Sequence, residues 1–352
     1  MDRASILIVT EAFHPAVDAA TTTARHLADH LIATGADVQL MALSPGLEVY
    51  RSSRVVRLRP LEPIGPQVRG VLQAQRPDLV IALSPRALGR KALKHAGRLG
   101  IATATIEHAR ADQITLDSWR LKVAERSDAL LTVSHAQACA VAGLGPVVWH
   151  PGVDVETFTP ARRDAALHDR WARSSHPGGR RLVVGFVGDL ARGHRVRQLL
   201  AVADVPGTEL VVVGEGRQRE WLRERLPRAQ FLPVLASGDL AVAMASFDAL
   251  VHPSAQLTSA HALRAAAAAG VPVVAADAGG AAEAVRHLET GLLFESETPD
   301  AFGDEITALL DADLAALGAR GRELAGRRTW QHACAELTER HLTPLLGRPL
   351  AA

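Results

Sequence analysis

The chain has 352 residues, 48% of them apolar and 22% charged, with a net charge of +1 and two cysteines. At roughly 150 residues per domain this is enough for two domains, each with its own core. The balance excludes a disordered or fibrous chain and a global field for nucleic acid, and Cys139 and Cys334 lie too far apart to read as a disulfide framework or a metal spacing.

Positions 6–9 form a continuous apolar run, the pattern of a strand covered on both faces. After a loop over 10–20, Leu27, Leu31 and Ile32 mark a helix that Gly35 closes, and 38–43 reads as the next strand. Further on, 78–83 is a strand, 86–99 a helix stopped by Gly100, and 101–106 a strand. A helix over 119–126 leads into a strand at 129–133. This alternation predicts a doubly wound parallel sheet. Positions 161–180 are charged, end in Pro and Gly, and read as a linker. A second alternating series has strands at 182–187, 209–213, 231–234, 249–251 and 271–275, a helix at 281–288, and helices onward to Leu346. The predicted domains are 1–160 and 181–329, with the linker between them and a final segment at 330–352. No stretch approaches the ~20 consecutive apolar residues of a spanning helix, and the opening residues lack a signal-peptide core, so a cytoplasmic protein is expected.

In open α/β sheets, ligands sit at the carboxyl ends of the strands. Three turns of the second half lie there. The turn Gly214-Glu215-Gly216 ends a strand and opens a helix, where backbone N–H groups are able to face a diphosphate. Glu220 stands where a dinucleotide fingerprint has its third glycine, so a plain tight turn is an equal reading. The segments ending in Gly188 and in Gly279-Gly280 repeat the pattern. No phosphate-binding Walker loop, zinc-binding His pair, nucleophile elbow or Cys pair occurs, which leaves dehydrogenase and metal-hydrolase chemistry without support.

A longer order of motifs runs through the chain. It comprises 8–15, His150-Pro151-Gly152-Val153-Asp154 with Phe158 and Pro160, then 185–190, 213–216, 245–254, 270–275, Gly279-Gly280 with Glu283, 291–294, and Trp330. From about residue 5 to 345 this order resembles glycosyltransferase family 4, and within it the actinobacterial GDP-mannose-dependent α-mannosyltransferases. The resemblance implies a GT-B fold: two Rossmann-like doubly wound domains facing across a cleft, donor nucleotide in the second, acceptor in the first, last helix crossing back. It implies retaining transfer of a hexose from a nucleotide-diphosphate sugar to a lipid or glycan acceptor. GDP-mannose is the first donor to consider; no metal and no other cofactor is implied. Charge builds on the leaving diphosphate, so such a site needs cations and N–H donors aimed at it.

Carried over position by position, the resemblance assigns donor binding to Gly188, Asp189, His194, Gly214, Gly216, Leu257, Thr258, Ser259 and Ala265. Several of these depart from the family pattern. Asp189 and His194 stand where the family has Arg and Lys, and Leu257 and Ala265 where it has two glutamates. Ser259-Ala260 replaces a Phe-Gly-like pair, and 17–20 replaces a glycine turn. Each lost charge-assisted bond is worth roughly 1.5–3 kcal/mol. The departures keep a second reading open, a catalytically inactive relative that binds or regulates an active glycosyltransferase. An epimerase or hydrolase of the same fold fits the motif order less well. Arg192, Arg195 and Arg197 are either substitute cations or a solvated face.

His108 follows a strand where many family members place a sugar-contacting His, so it reads either as the catalytic-side candidate or as a polar strand end. Glu283 reads as a helix-start charge. On the acceptor side, Arg86, Arg90 and Lys94 recur at the spacing of one helix face, within a stretch without Asp or Glu. That face either meets an anionic membrane peripherally at its inner surface or is simply solvated. Residues 107–112 read as acceptor-side as well.

Overall fold

A computed structural model describes residues 3–14, 18–109, 115–172, 181–298 and 300–347. The chain divides into two compact units, Met1–Pro151 with Trp330–Ala352, and Gly152–Thr329. The division falls before the 160/161 boundary read from the sequence. Arg322 donates to the carbonyls of Val155, Phe158 and Ala268, which ties the 152–160 segment into the second unit.

The first unit runs β1 (Ser5–Thr10), α1 (Ala19–Ala33), β2 (Asp37–Leu43), β3 (Val49–Tyr50), β4 (Ser53–Leu58), α2 (Ile64–Gln75), β5 (Leu79–Leu83), α3 (Ala87–Arg98), β6 (Ala102–Glu107), α4 (Leu116–Lys122), β7 (Ala129–Thr132), α5 (His135–Ala140) and β8 (Val147–Val148). Its sheet order is β3-β4-β2-β1-β5-β6-β7-β8, parallel except for the β3–β4 pair. The order reverses between β1 and β5, the topological switch point of a doubly wound sheet. The strands β1 and β5 are almost wholly buried, as their unbroken apolar runs require.

The second unit runs α6 (Ala165–Ala172), β9 (Leu182–Val187), α7 (Leu200–Asp204), β10 (Thr208–Val213), α8 (Arg219–Arg225), β11 (Gln230–Leu232), α9 (Ser237–Ala245), β12 (Ala249–His252), α10 (His261–Ala268), β13 (Val273–Ala276), α11 (Gly279–Ala284), β14 (Gly291–Phe294), α12 (Ala301–Ala308) and α13 (Leu314–Gly326). Its sheet, β11-β10-β9-β12-β13-β14, is parallel throughout and switches between β9 and β12. The chain then returns to the first unit as α14 (Trp330–Leu337) and α15 (Thr343–Leu346). There the Trp149 indole N–H donates to the Ala333 carbonyl at 2.8 Å, and the Trp330 ring stacks on His26.

Several local expectations need correction. The first half of the supposed linker is helical: α6 buries Trp171 and Ala172 in the second unit's core, while 173–180 lie outside the described residues. The helix read over 119–126 begins at Leu116 and breaks at Val123, whose φ is −126°, before a single 3-10 turn. The helix read over 281–288 is α11, which starts at Gly279 and ends at Ala284. Strand β11 stops before Pro233, which has no N–H to give a neighbouring strand. Elements β3, β4 and α2 carry no clear periodicity; β4 is interrupted by Arg54 and Arg57, and α2 contains Pro66, Gly65 and Gly70. No helix among the described residues is long and apolar enough to cross a membrane.

Candidate functional site

At the switch point of the second unit, the loops after β9 and β10 interlock. The N–H of Gly188 donates to the Val213 carbonyl at 3.1 Å, that of Leu190 to Glu215 at 2.8 Å, and that of Gln218 back to Leu190 at 2.9 Å. Gly214 (φ +147°) lies so close to the Gly188 carbonyl that a Cβ there would overlap it. A Cβ on Gly216 (φ +152°) would stand 2.6 Å from the Leu190 carbonyl oxygen and 2.7 Å from the Asp189 carboxylate. The three glycines therefore lie in one pair of interlocked loops, and the packing of one loop on the other is sufficient reason for Gly214 and Gly216.

Asp189 is exposed at this turn. Of the three arginines weighed as substitutes, Arg192 is exposed and the other two are engaged with other groups. Arg195 donates to the Ser296 carbonyl and pairs with Glu297 at 2.7 Å, and Arg197 donates to Gln218 and lies 4.1 Å above the Trp221 ring. The cation that is at the turn is Arg219, the first residue of α8. It donates to the Gly214 carbonyl at 2.6 Å and pairs with Glu215 at 3.1 Å. A helix-start Arg carries no distinctive sequence signal, so nothing in the pattern separated it from its neighbours.

His194 packs edge-on against His252 at the end of β12, with ring centroids 6.0 Å apart. Burial pushes the pKa of His252 down to about 3, and the neighbouring His194 adds to this. His252 is thus a neutral floor residue, with Phe186 5.1 Å away and Gly188 directly over it.

The loop after β12 crosses the start of α11. The Gly280 N–H donates to the Leu257 carbonyl at 2.7 Å, and a Cβ on Gly279 would meet the same oxygen at 2.7 Å. Leu257 leans on the apolar core, and Ala265 is buried within it on α10. Both positions where the family has glutamates are therefore packed as hydrocarbon. Thr258 and Ser259 lead to Ala260, which takes a left-handed conformation (φ 49°, ψ 37°) and starts α10 without any side-chain cap. Four N–H groups at a helix start have no partner within the helix, and together with the helix dipole they favour an anion.

Just inside that helix, the Arg264 Nε donates to the Ser259 carbonyl at 3.1 Å. Burial lowers the Arg264 pKa to about 10, helped by Arg328 and opposed by Glu283, so the buried guanidinium stays charged at neutral pH. With Glu283, Arg286 and Arg328 it lines a cavity of about 250 Å³. Sequence reading passed over Arg264 because it sits in an alanine run that reads as plain helix.

In the first unit, Glu107 and His108 sit at the end of β6. The buried Glu107 carboxylate accepts from the N–H groups of His108 (3.0 Å) and Ala109 (2.9 Å) and from the Trp119 indole (2.8 Å), so its role is to hold the strand end to α4. The His108 ring is buried, with Nε2 2.8 Å from the Thr23 hydroxyl on α1. Burial lowers its pKa to about 4, against the opposing pull of Asp18 and a bond to Ile106, so at neutral pH it exchanges hydrogen bonds but carries no charge. Residues 110–112 lie outside those described. Asp18 caps α1 by accepting from the Thr21 N–H at 2.7 Å, while Val17 also lies outside the described residues.

Arg86, Arg90 and Lys94 do share one face, as the spacing predicts: all three line one cavity beside α3. The start of α3 is closed by Glu11, whose carboxylate accepts from the N–H groups of Arg86 (2.9 Å), Leu88 (3.0 Å) and Gly89 (3.0 Å).

Two family descriptions match the chain: Glycosyltransferase Family 4 over residues 20–157 and Glycosyl transferases group 1 over 181–312. A GDP-mannose-dependent alpha-mannosyltransferase of Mycolicibacterium smegmatis is 32% identical over 97% of this chain and 98% of its own length. The protein of that name from Mycobacterium tuberculosis is 31% identical, with 97% of each chain covered. Among solved structures, a sucrose-phosphate synthase from Thermosynechococcus elongatus superposes with a TM-score of 0.82 at 18% identity, covering 98% of this chain and 100% of that one. Anabaena HepE in complex with UDP-glucose gives 0.78 at 20% identity, covering 94% and 98%. The chain belongs to glycosyltransferase family 4 and has the GT-B fold.

Proposed function

We propose that this protein is a retaining glycosyltransferase that moves a mannosyl group from GDP-mannose to a hydroxyl of a lipid or glycan acceptor, in the cytoplasm and without a bound metal. The observation that carries the reading is the start of α10. At the switch point, where a ligand of such a sheet belongs, a helix begins on a left-handed alanine whose own side chain offers no cap. A diphosphate there would meet backbone N–H groups and the positive end of the helix dipole. The leaving diphosphate would be stabilised through main-chain amides and the buried charge of Arg264, in place of the family's Arg and Lys at 189 and 194. The full-length likeness to GDP-mannose-dependent relatives supports GDP-mannose as donor. Bond making and breaking take place at the sugar's anomeric carbon, with the acceptor's proton passing to the leaving phosphate. His108, neutral and held by Thr23, suits a hydrogen bond to a sugar hydroxyl rather than a charge contact.

One observation favours a second reading, a non-catalytic partner of an active glycosyltransferase. A carboxylate, Asp189, stands at the glycine turn, and Leu257 and Ala265 are packed as core. Calorimetric titration with GDP, UDP and GDP-mannose separates the two. Micromolar binding of GDP and GDP-mannose, with transfer to an added acceptor extract, supports the transferase. Absence of binding to all three overturns it in favour of the partner role.

A further inference from the structure

Residues of α10, α11 and α13 in the second unit enclose the cavity of about 250 Å³ that Arg264 lines with Glu283, Arg286, Arg327 and Arg328. Small residues keep it open: Ala267 on α10, Ala284 on α11, and Gly321 and Ala325 on α13 leave space where larger side chains would fill it. A liquid water takes about 30 Å³, so a phosphate-sized anion fits there with several waters.

The charge balance of the lining is positive. Among the described residues Arg264 donates one hydrogen bond, from Nε to the Ser259 carbonyl at 3.1 Å, and pairs with no carboxylate, so its two Nη groups are left to the cavity. Burial is the first cause that lowers its pKa, and the charge of Arg328 lowers it more than Glu283 raises it. At the rim, three arginines share two glutamates. Glu289 lies 3.5 Å from Arg286 and 3.8 Å from Arg320, while Glu323 pairs with Arg320 and Arg327. Such solvent-exposed pairs hold their guanidinium groups weakly.

A buried guanidinium without a carboxylate costs stability unless an anion shares its space, and the planar fork of Arg matches phosphate oxygens two at a time. Glu283 selects among anions. An ionised carboxylate only accepts, so it repels sulfate but takes a hydrogen bond from the P–OH of hydrogen phosphate. A phosphomonoester has mostly lost that proton at neutral pH.

We propose that this cavity is a binding site for inorganic phosphate, gripped by the Nη groups of Arg264 inside and by Arg286 and Arg327 at the rim, with Glu283 accepting the phosphate proton. The same guanidinium holds the Ser259 carbonyl, so a bound phosphate steadies the loop that leads into α10. The site goes beyond the donor reading and does not depend on it.

The test is calorimetric titration of the full chain with inorganic phosphate, in chloride at fixed ionic strength and without nucleotide. Saturable binding is expected, about ten-fold tighter than for sulfate or glycerol 3-phosphate. Arg264→Met should weaken phosphate by about ten-fold or more, and Arg286→Gln by about three- to five-fold. The second variant sits on the surface and keeps the test usable if the first fails to fold. Glu283→Gln should remove the preference over sulfate, and Arg223→Gln, exposed on α8, should bind as wild type does. No saturable binding, equal affinity for sulfate, or unchanged affinity in the two arginine variants overturns the proposal. Tighter binding of glycerol 3-phosphate than of phosphate overturns the assignment to the inorganic ion. A repeat under saturating GDP separates the cavity from the donor's place. Phosphate that still binds, even if more weakly, supports a second site; its exclusion puts phosphate in the diphosphate position and overturns the proposal. Phosphate binding by a protein that takes no GDP would sink the donor reading alone.

Discussion

The two units carry the same kind of sheet, yet they treat equivalent helix starts in opposite ways. In the first unit, α3 follows the strand on one side of the switch point, and Glu11 from the strand on the other side accepts from its N–H groups. In the second unit, α10 holds the matching position, and its N-cap residue is Ala260, whose side chain offers no acceptor. The residue topologically closest to Glu11 is Asp189, which lies instead beside Gly216. At the first switch point a carboxylate from a neighbouring strand end closes the helix start; at the second the N-cap residue is an alanine in a left-handed conformation. The lesson is that a fold class predicts where a ligand belongs, while a single carboxylate decides whether the chain itself closes a helix start there.

That contrast can be broken at several points. The largest effect is expected from Glu11→Ala, which leaves α3 without its acceptor and should destabilise the first unit by about 3–4 kcal/mol in chemical denaturation. Glu11→Gln keeps an acceptor and should cost far less. Acidification comes next. His108 has a folded pKa of about 4 against an unfolded value near 6.5, so the unfolded chain takes up the proton first and stability falls as pH drops through that window. The loss should reach about 3 kcal/mol by pH 4, and His108→Gln should flatten this part of the profile, leaving the separate fall contributed by His252. In the second unit, Asp189→Arg exchanges a repelling charge for an attracting one and should tighten GDP binding by about ten-fold or more in calorimetry. No gain there would mean that Asp189 does not face the diphosphate. The smallest effect is Ala260→Gly. Relieving a left-handed alanine should stabilise the second unit by about 0.5–1 kcal/mol, read from its thermal midpoint.

Much of this was legible in the linear chain. Buried parallel strands announce themselves as unbroken apolar runs, and the glycine turns marked the carboxyl ends of the second unit's strands. Short or interrupted elements were not legible: β4 is broken up by Arg54 and Arg57, and α6 lies in a charged stretch in which few apolar residues mark the face that meets the core. The candidate site was legible as a set of positions, but not as a set of roles. Gly214 packs on Gly188 and Gly216 on Leu190 and Asp189, and Glu107, read only as acceptor-side, accepts three hydrogen bonds that hold its own strand end.

The sequence by itself determined the two sheets and their carboxyl-end turns, because apolar period and residue type are local properties. Only the tertiary structure decided which charges are spent and which remain. Arg195 and Arg197 are tied to partners far along the chain, Glu11 closes a helix more than 70 positions away, and Lys122 and Arg126 complete a groove that α3 begins. An ion or hydrogen bond has meaning only with its partner, and those partners are brought together by the packing of the sheet, not by neighbourhood in the chain.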